Sequence, residues 1–131
     1  MKILIAEDEF VSRAKLQKIL NAYGQCYTVV NGHEALESFR MALEDKEPFD
    51  LVCLDIMMPE LDGQKVLQEI RRMEESRDIG GHDHVKVIMI TALSDAKNVM
   101  TAFMRGQCEA YLHKPVNREK LVRQLERLGL I

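Results

Sequence analysis

Reactive side chains follow four of the five short apolar segments of the chain. Glu7 and Asp8 come after ILIA, Asp55 after LVCL, Thr91 after VIMI and Lys114 after YLH. A carboxylate that leaves a buried segment must be solvated, paired or bound to a cation, because burying a lone charge is costly. Three carboxylates, one hydroxyl and one ammonium group are the functional groups that suit a cation together with a phosphoryl group. Phosphoryl chemistry is therefore the first expectation for these residues.

The three carboxylates are expected to share a divalent ion. Close together they would repel one another and raise each other's pKa unless a cation neutralised them. Mg²⁺ is the economical cation, with Mn²⁺ as the alternative, because it takes oxygen ligands and is commonly held by one or two carboxylates plus phosphate oxygens. Lys114 then supplies a positive charge and Thr91 a hydroxyl donor for phosphoryl oxygens. Asp55 is the expected nucleophile, since an aspartate can form an acyl phosphate.

Apolar segments and segments of helical period alternate along the chain. The predicted strands cover 2–6, 26–30, 51–54, 85–90 and 110–113, and the predicted helices cover 10–22, 32–46, 63–77, 95–105 and 117–128. Strict alternation of this kind predicts an α/β fold, with a parallel sheet and helices on both faces. The predicted N-caps are Asn31, Ser94 and Asn117.

The strand order follows from where the reactive residues must meet. In a parallel sheet all carboxyl ends lie at one edge, where open α/β sheets bind ligands. The second strand ends without a reactive side chain, so we expect it at the margin, with the first and third strands adjacent in the middle. The predicted order is 2-1-3-4-5, which brings Glu7, Asp8 and Asp55 together.

Length and composition favour one cytoplasmic domain. The chain has 131 residues and a formal net charge of −3, with acidic and basic residues mixed. No basic stripe is present for phosphate contacts, so direct nucleic-acid binding is not expected. The three cysteines are far apart and favour neither a disulfide framework nor a zinc site. No apolar run has the length of a signal-peptide core or a membrane span, and we expect no membrane association.

Four motifs resemble one family over essentially the whole chain. AEDE follows the first strand, DIMMPELDG the third, TA the fourth, and AYLHKP covers the fifth. In these motifs the chain resembles the receiver domain of bacterial response regulators, the phosphoaccepting part of two-component signalling. The resemblance implies a flavodoxin-like doubly wound fold with the order given above. It also implies that Asp55 becomes a 4-aspartylphosphate, with a sensor histidine kinase or histidine phosphotransfer protein as the donor.

The resemblance also implies a role for each site residue. Asp8 and Asp55 would bind Mg²⁺ directly, together with the backbone carbonyl of Met57, while Glu7 would act mainly through metal-bound water. Thr91 and Lys114 would bind the phosphoryl oxygens. A further two features carried over from the family are Tyr111 as the switch aromatic and a cis Lys114–Pro115 peptide bond.

We interpret the chain as a stand-alone receiver over residues 1–131, without an output domain, with a piece excised from a longer protein as the alternative. It is a signalling switch rather than an enzyme, because it would catalyse only its own phosphorylation and dephosphorylation. Output would pass through residues 95–129 to a separate, unidentified protein, with a phosphorylation-dependent homodimer as the alternative.

Three other functions compete with this interpretation. A phosphatase or phosphomutase with an aspartyl nucleophile would place a second Asp where Met57 stands. A flavin-binding electron carrier would end its first strand in a phosphate loop rich in hydroxyl groups and glycine, not in carboxylates. A degenerate receiver that only binds partners would not need Glu7, Asp8, Asp55, Thr91 and Lys114 together.

Overall fold

The computed structural model describes residues 1–92 and 108–131, apart from the side chains of His82 and Thr91. The helix predicted at 95–105 and its N-cap Ser94 lie outside the described residues.

Five parallel strands form one sheet in the predicted order. They are β1 (Lys2–Ala6), β2 (Gln25–Val29), β3 (Leu51–Leu54), β4 (Lys86–Thr91) and β5 (Ala110–His113), and the sheet runs β2-β1-β3-β4-β5. Every neighbouring pair is parallel. The order 2-1-3-4-5 is therefore confirmed, and β2, the strand without a reactive end, lies at the margin. Its bounds are one residue earlier than predicted.

Four helices are described, and side-chain caps explain where each begins. They are α1 (Phe10–Leu20), α2 (Gly32–Glu44), α3 (Gly63–Ser76) and α4 (Arg118–Arg127), with a short 3₁₀ helix at Gly81–Asp83. Asn31 and Asn117 cap α2 and α4, as predicted, each accepting a backbone N–H bond of 2.8 Å. Carboxylates cap the other two helices: Glu9 caps α1 and Asp62 caps α3. Such caps satisfy N–H groups that have no partner within the helix.

Helices cover both faces of the sheet because the strand residues alternate between two cores. Successive side chains of a strand point to opposite faces. Leu4, Val52 and Val87 face α2 and α3, which contribute Ala35, Phe39, Val66, Leu67 and Ile70. Ile3, Cys53 and Ile88 face α1 and α4, which contribute Leu16, Ile19, Leu20, Leu121 and Leu125. This arrangement confirms the doubly wound α/β fold. None of the described helices has the length and apolar content needed to cross a membrane.

A buried charge network lies at the amino ends of β4 and β5, opposite the reactive edge. Arg71 donates to Glu74 at 2.8 Å and to both carboxylate oxygens of Glu109 at 2.9 and 3.0 Å. Glu74 accepts the N–H of Val85 at 2.7 Å, and Glu109 accepts the N–H of Val87 at 2.6 Å. Arg71 thus neutralises two carboxylates that hold the start of β4, as a buried carboxylate requires. No pattern in the sequence predicts this network.

Gly63 positions α3 against the backbone of the predicted nucleophile. A Cβ atom at residue 63 would lie 2.2 Å from the Asp55 carbonyl oxygen and 2.8 Å from Ile56 Cα. The Gly63 N–H also donates to the Ile56 carbonyl at 3.0 Å. The first turn of α3 therefore approaches the Asp55 loop more closely than any side chain would allow.

We expect Gly63→Ala to lower the free energy of unfolding by about 1 to 3 kcal/mol, because a methyl group forced against backbone must displace it. Urea unfolding at equilibrium measures the change. Gly80→Ala is the matched control, since its Cβ would meet nothing within 4 Å and its φ is −146°. The control should change stability by less than about 0.5 kcal/mol. Equal effects of the two substitutions would contradict the close approach.

Candidate functional site

Three carboxylates meet at the carboxyl ends of β1 and β3. One oxygen from each of Glu7, Asp8 and Asp55 lies within 4.8 Å of the others. Glu7 is 1% exposed and Asp55 3% exposed, whereas Asp8 faces solvent. The two strands are neighbours in the sheet, with Ala6 opposite Leu54, so the residues that follow them are brought side by side. The cluster is an arrangement that could hold a metal ion.

Hydrogen bonds fix the Asp55 side chain. The Asp55 N–H donates to the carbonyl of Ala6 at 3.1 Å, which extends the pairing of β1 and β3 by one bond. Oδ1 accepts the N–H of Met57 at 3.0 Å. Oδ2 accepts from the Lys114 ammonium at 3.0 Å. Asp55 is therefore held in place from its own loop on one side and from the end of β5 on the other.

The Lys114 ammonium lies between two buried carboxylates. Its Nζ atom is 2.5 Å from Glu7 Oε1 and 3.0 Å from Asp55 Oδ2, and its side chain is 18% exposed. The contact with Glu7 is an ion pair whose angles do not make a hydrogen bond, so Oε1 has no hydrogen-bond donor among the described residues. The other oxygen, Oε2, accepts the N–H of Glu9 at 3.2 Å.

One ammonium does not offset the negative charge of this cluster. The pKa of Glu7 is raised from 4.5 to about 7, mainly by burial and next by the neighbouring Asp55 carboxylate, while Lys114 opposes the rise. Burial lowers the pKa of Lys114, but its contacts with the Glu7 and Asp55 carboxylates outweigh burial and the net pKa is raised. A buried carboxylate oxygen without a donor, in a group of three carboxylates, fits the oxygen ligands that Mg²⁺ takes. The residues present therefore suit that ion.

The remaining predicted site residues lie around the same edge. Thr91 ends β4 opposite His113, and only its backbone is described. Met57 contacts Asp55 through its N–H, and its side chain is exposed. Tyr111 is half-buried in β5 and makes an edge-to-face contact with His113, with ring centroids 5.2 Å apart. The Lys114–Pro115 peptide bond is cis. The individual roles assigned to these residues stay predictions.

Two residues at the start of α1, Glu9 and Arg13, were not singled out from the sequence. Glu9 caps α1 through Ser12 and donates its N–H to Glu7. Arg13 donates from its guanidinium to the carbonyl oxygens of Glu7 and Asp8. Glu9 carried no clear signal, because glutamate is not among the preferred N-cap residues and the capping-box pattern has the acidic residue after the cap. No pattern marks Arg13 either.

The comparison with known families agrees with the fold and the acidic cluster. The family model for the response regulator receiver domain matches residues 3–126. A probable transcriptional regulator, ycf27 of Porphyra purpurea, is 37% identical over 121 residues, which cover 92% of this chain and 44% of that protein. Hybrid signal transduction histidine kinase B of Dictyostelium discoideum is 32% identical over 130 residues, 95% of this chain and 6% of the kinase. The chain belongs to the response regulator receiver domain family.

A solved structure shares the fold. A chain in the crystal structure of the CheX–CheY complex with BeF3 and Mg²⁺ from Borrelia burgdorferi superposes with a TM-score of 0.83 at 24% identity, covering 98% of this chain and 89% of that chain. The curated relatives named above are longer, and this chain spans less than half of each.

We expect the metal-free protein to lose stability as the pH rises from about 5 to about 8. Glu7 has a raised pKa when folded, so between 4.5 and about 7 the folded protein keeps a proton that the unfolded chain releases. Release of that proton as the pH passes the folded pKa removes its stabilising contribution. Urea unfolding in EDTA at several pH values measures how the free energy of unfolding changes with pH.

The contribution of Glu7 is isolated by substitution. Glu7→Gln should flatten this part of the pH profile, whereas Glu119→Gln, which changes an exposed carboxyl group, should leave it unchanged. A slope that persists in Glu7→Gln would assign the pH dependence to other groups.

Proposed function

We propose that the protein is a phosphoaccepting response regulator in a two-component or phosphorelay system. A phosphoryl group passes in a Mg²⁺-dependent reaction from a phosphohistidine to Asp55. The donor is a sensor histidine kinase or a histidine phosphotransfer protein. The observation that carries this proposal is the buried Asp55 carboxylate, which accepts from Lys114 and lies within reach of two further carboxylates. Membership of the receiver family supports the same chemistry.

Glu7, Asp8 and Asp55 would hold the ion, with Mn²⁺ as an alternative to Mg²⁺. Support comes from the Glu7 oxygen that lacks a hydrogen-bond donor in the described structure and from the excess of carboxylates over ammonium groups. The Borrelia complex, which has the same fold, contains Mg²⁺ and BeF3. The bound ion supplies positive charge that lets a phosphate dianion approach a carboxylate. The expected division is direct ligation by Asp8, Asp55 and the Met57 carbonyl, with Glu7 acting through water.

Asp55 acts as the nucleophile. One of its carboxylate oxygens forms a bond to phosphorus while the bond between phosphorus and the donor imidazole nitrogen breaks, and that electron pair stays on the imidazole. The Lys114 ammonium contacts Asp55 Oδ2 and is placed to form an ion pair with an oxygen of the incoming phosphoryl group. Thr91, at the end of β4, would donate a hydrogen bond from its hydroxyl group to a second phosphoryl oxygen.

Phosphorylation then shifts the protein between two conformational populations. Movement of Thr91 toward the phosphoryl group opens space that the half-buried Tyr111 ring fills. The signal is expected to leave through residues 95–129, toward an output protein or, alternatively, a second copy of the chain. The protein has no other substrate in this scheme, and residues 1–131 act as one cytoplasmic receiver domain.

Acetyl phosphate and intact mass spectrometry test the central step. In the presence of Mg²⁺ the protein should gain the mass of one phosphoryl group, and EDTA should abolish the gain. Asp55→Asn should also abolish it, because an amide nitrogen cannot replace the carboxylate as nucleophile. Asp45→Asn, an exposed position at the end of α2, is the matched control and should gain one group like the wild type.

Two results would overturn the proposal. One is a wild-type protein that gains no phosphoryl group from acetyl phosphate or from a phosphorylated histidine phosphotransfer protein at saturating Mg²⁺. The other is an Asp55→Asn variant that is labelled as fast as the wild type.

A further inference from the structure

We propose that Arg13 is a positioning residue of the acidic site. Its guanidinium would set the direction of the Glu7 and Asp8 side chains by holding the backbone that carries them. This inference rests on the proposed function, because its consequence is the affinity of the site for Mg²⁺.

The contacts of Arg13 converge on the acidic loop. Its Nη1 atom donates to the carbonyl oxygen of Glu7 at 3.0 Å and to that of Asp8 at 3.2 Å. Its guanidinium also lies over the Phe10 ring, 5.6 Å from the centroid. One side chain, half-buried on the first turn of α1, therefore ties two successive peptide groups of the loop to the helix that follows it.

The two acidic residues depend on this backbone to different degrees. Glu7 is held directly: its N–H donates to the carbonyl of Val29 and its carboxylate accepts from Glu9. Within the described part of the chain, the Asp8 carboxylate makes no hydrogen bond or ion pair. The direction of the Asp8 side chain is therefore set by its backbone, and the bond from Arg13 to the Asp8 carbonyl is a restraint on that backbone.

A magnesium site is sensitive to such restraints. Mg²⁺ demands nearly ideal octahedral geometry, so a site whose carboxylates are not held in position binds it more weakly. Groups that orient metal ligands without touching the metal typically change affinity by about 10-fold to 100-fold when they are removed.

Charge alone predicts the opposite effect. A guanidinium next to a cation site repels the cation, so its removal by itself should strengthen binding. A loss of affinity on removing Arg13 therefore cannot come from its charge, and the sign of the change separates positioning from electrostatics.

The test is titration of metal-free protein with MgCl₂, followed through the amide resonances of Glu9 and Met57 by NMR. Arg13→Met keeps much of the side-chain length and removes the donors. We expect it to bind Mg²⁺ about 10-fold more weakly than the wild type. Arg40→Met is the matched control, since it removes the same charge from a half-buried residue of α2 that pairs with Glu37 and Glu44. It should bind Mg²⁺ as the wild type does.

Arg13→Lys separates the planar donor group from the charge and serves as the second variant if Arg13→Met does not fold. A single ammonium does not reproduce the fork of donors that a guanidinium presents. We expect weaker Mg²⁺ binding than in the wild type, with thermal unfolding of the metal-free protein unchanged. Loss of stability without loss of Mg²⁺ affinity would mean a merely structural role and would overturn the inference.

Other outcomes also overturn it. They are unchanged or tighter binding in Arg13→Met, equal weakening in Arg40→Met, and full affinity in Arg13→Lys. A wild-type protein that does not bind Mg²⁺ at all would instead overturn the proposed function, so the two failures are distinguishable.

Discussion

The buried ion pairs of Lys114 with Glu7 and Asp55 are the interaction on which the rest of the site depends. Two carboxylates with 1% and 3% exposure cannot stand side by side without compensation, and a single ammonium 2.5 and 3.0 Å away supplies part of it. Asp8 adds further negative charge at the rim. This incomplete balance of charge is the feature that supports the proposed binding of a cation and, with it, of a phosphoryl group.

The sheet and its connections hold these charged residues in place. Parallel pairing of β1 with β3 places the acidic residues at one edge, and β5 brings Lys114 to the same edge. Close backbone approach at Gly63 anchors the Asp55 loop from behind. At the other edge the Arg71 network holds the starts of β4 and β5, so the sheet is fixed at both ends by charged groups and in the middle by two apolar cores.

Membership of the receiver family and the local chemistry support each other, but they answer different questions. Shared architecture accommodates many functions, so the fold by itself does not define a reaction. The proposed reaction depends on Asp55, Lys114 and the neighbouring carboxylates. The relatives include a probable transcriptional regulator and a hybrid kinase, each of which is much longer than the matched region. Receiver domains therefore occur in proteins with different overall domain composition. Which partner this chain acts on depends on the residues of its own surface.

The amino-acid sequence by itself determined the α/β alternation, the strand order, the caps Asn31 and Asn117, and the family. The alternation, the caps and the family depend on local periodicity and on motifs of neighbouring residues. The strand order follows from the requirement that reactive residues at the strand ends meet at one edge of the sheet. Tertiary structure alone decided that Arg71 meets Glu109, 38 residues away, and that Glu74 is buried rather than solvated on its helix. It likewise decided that Arg13 turns back onto the carbonyls of Glu7 and Asp8. A charged residue on a helix looks the same in sequence whether it faces water or a partner, because the partner is supplied by chain packing and not by spacing.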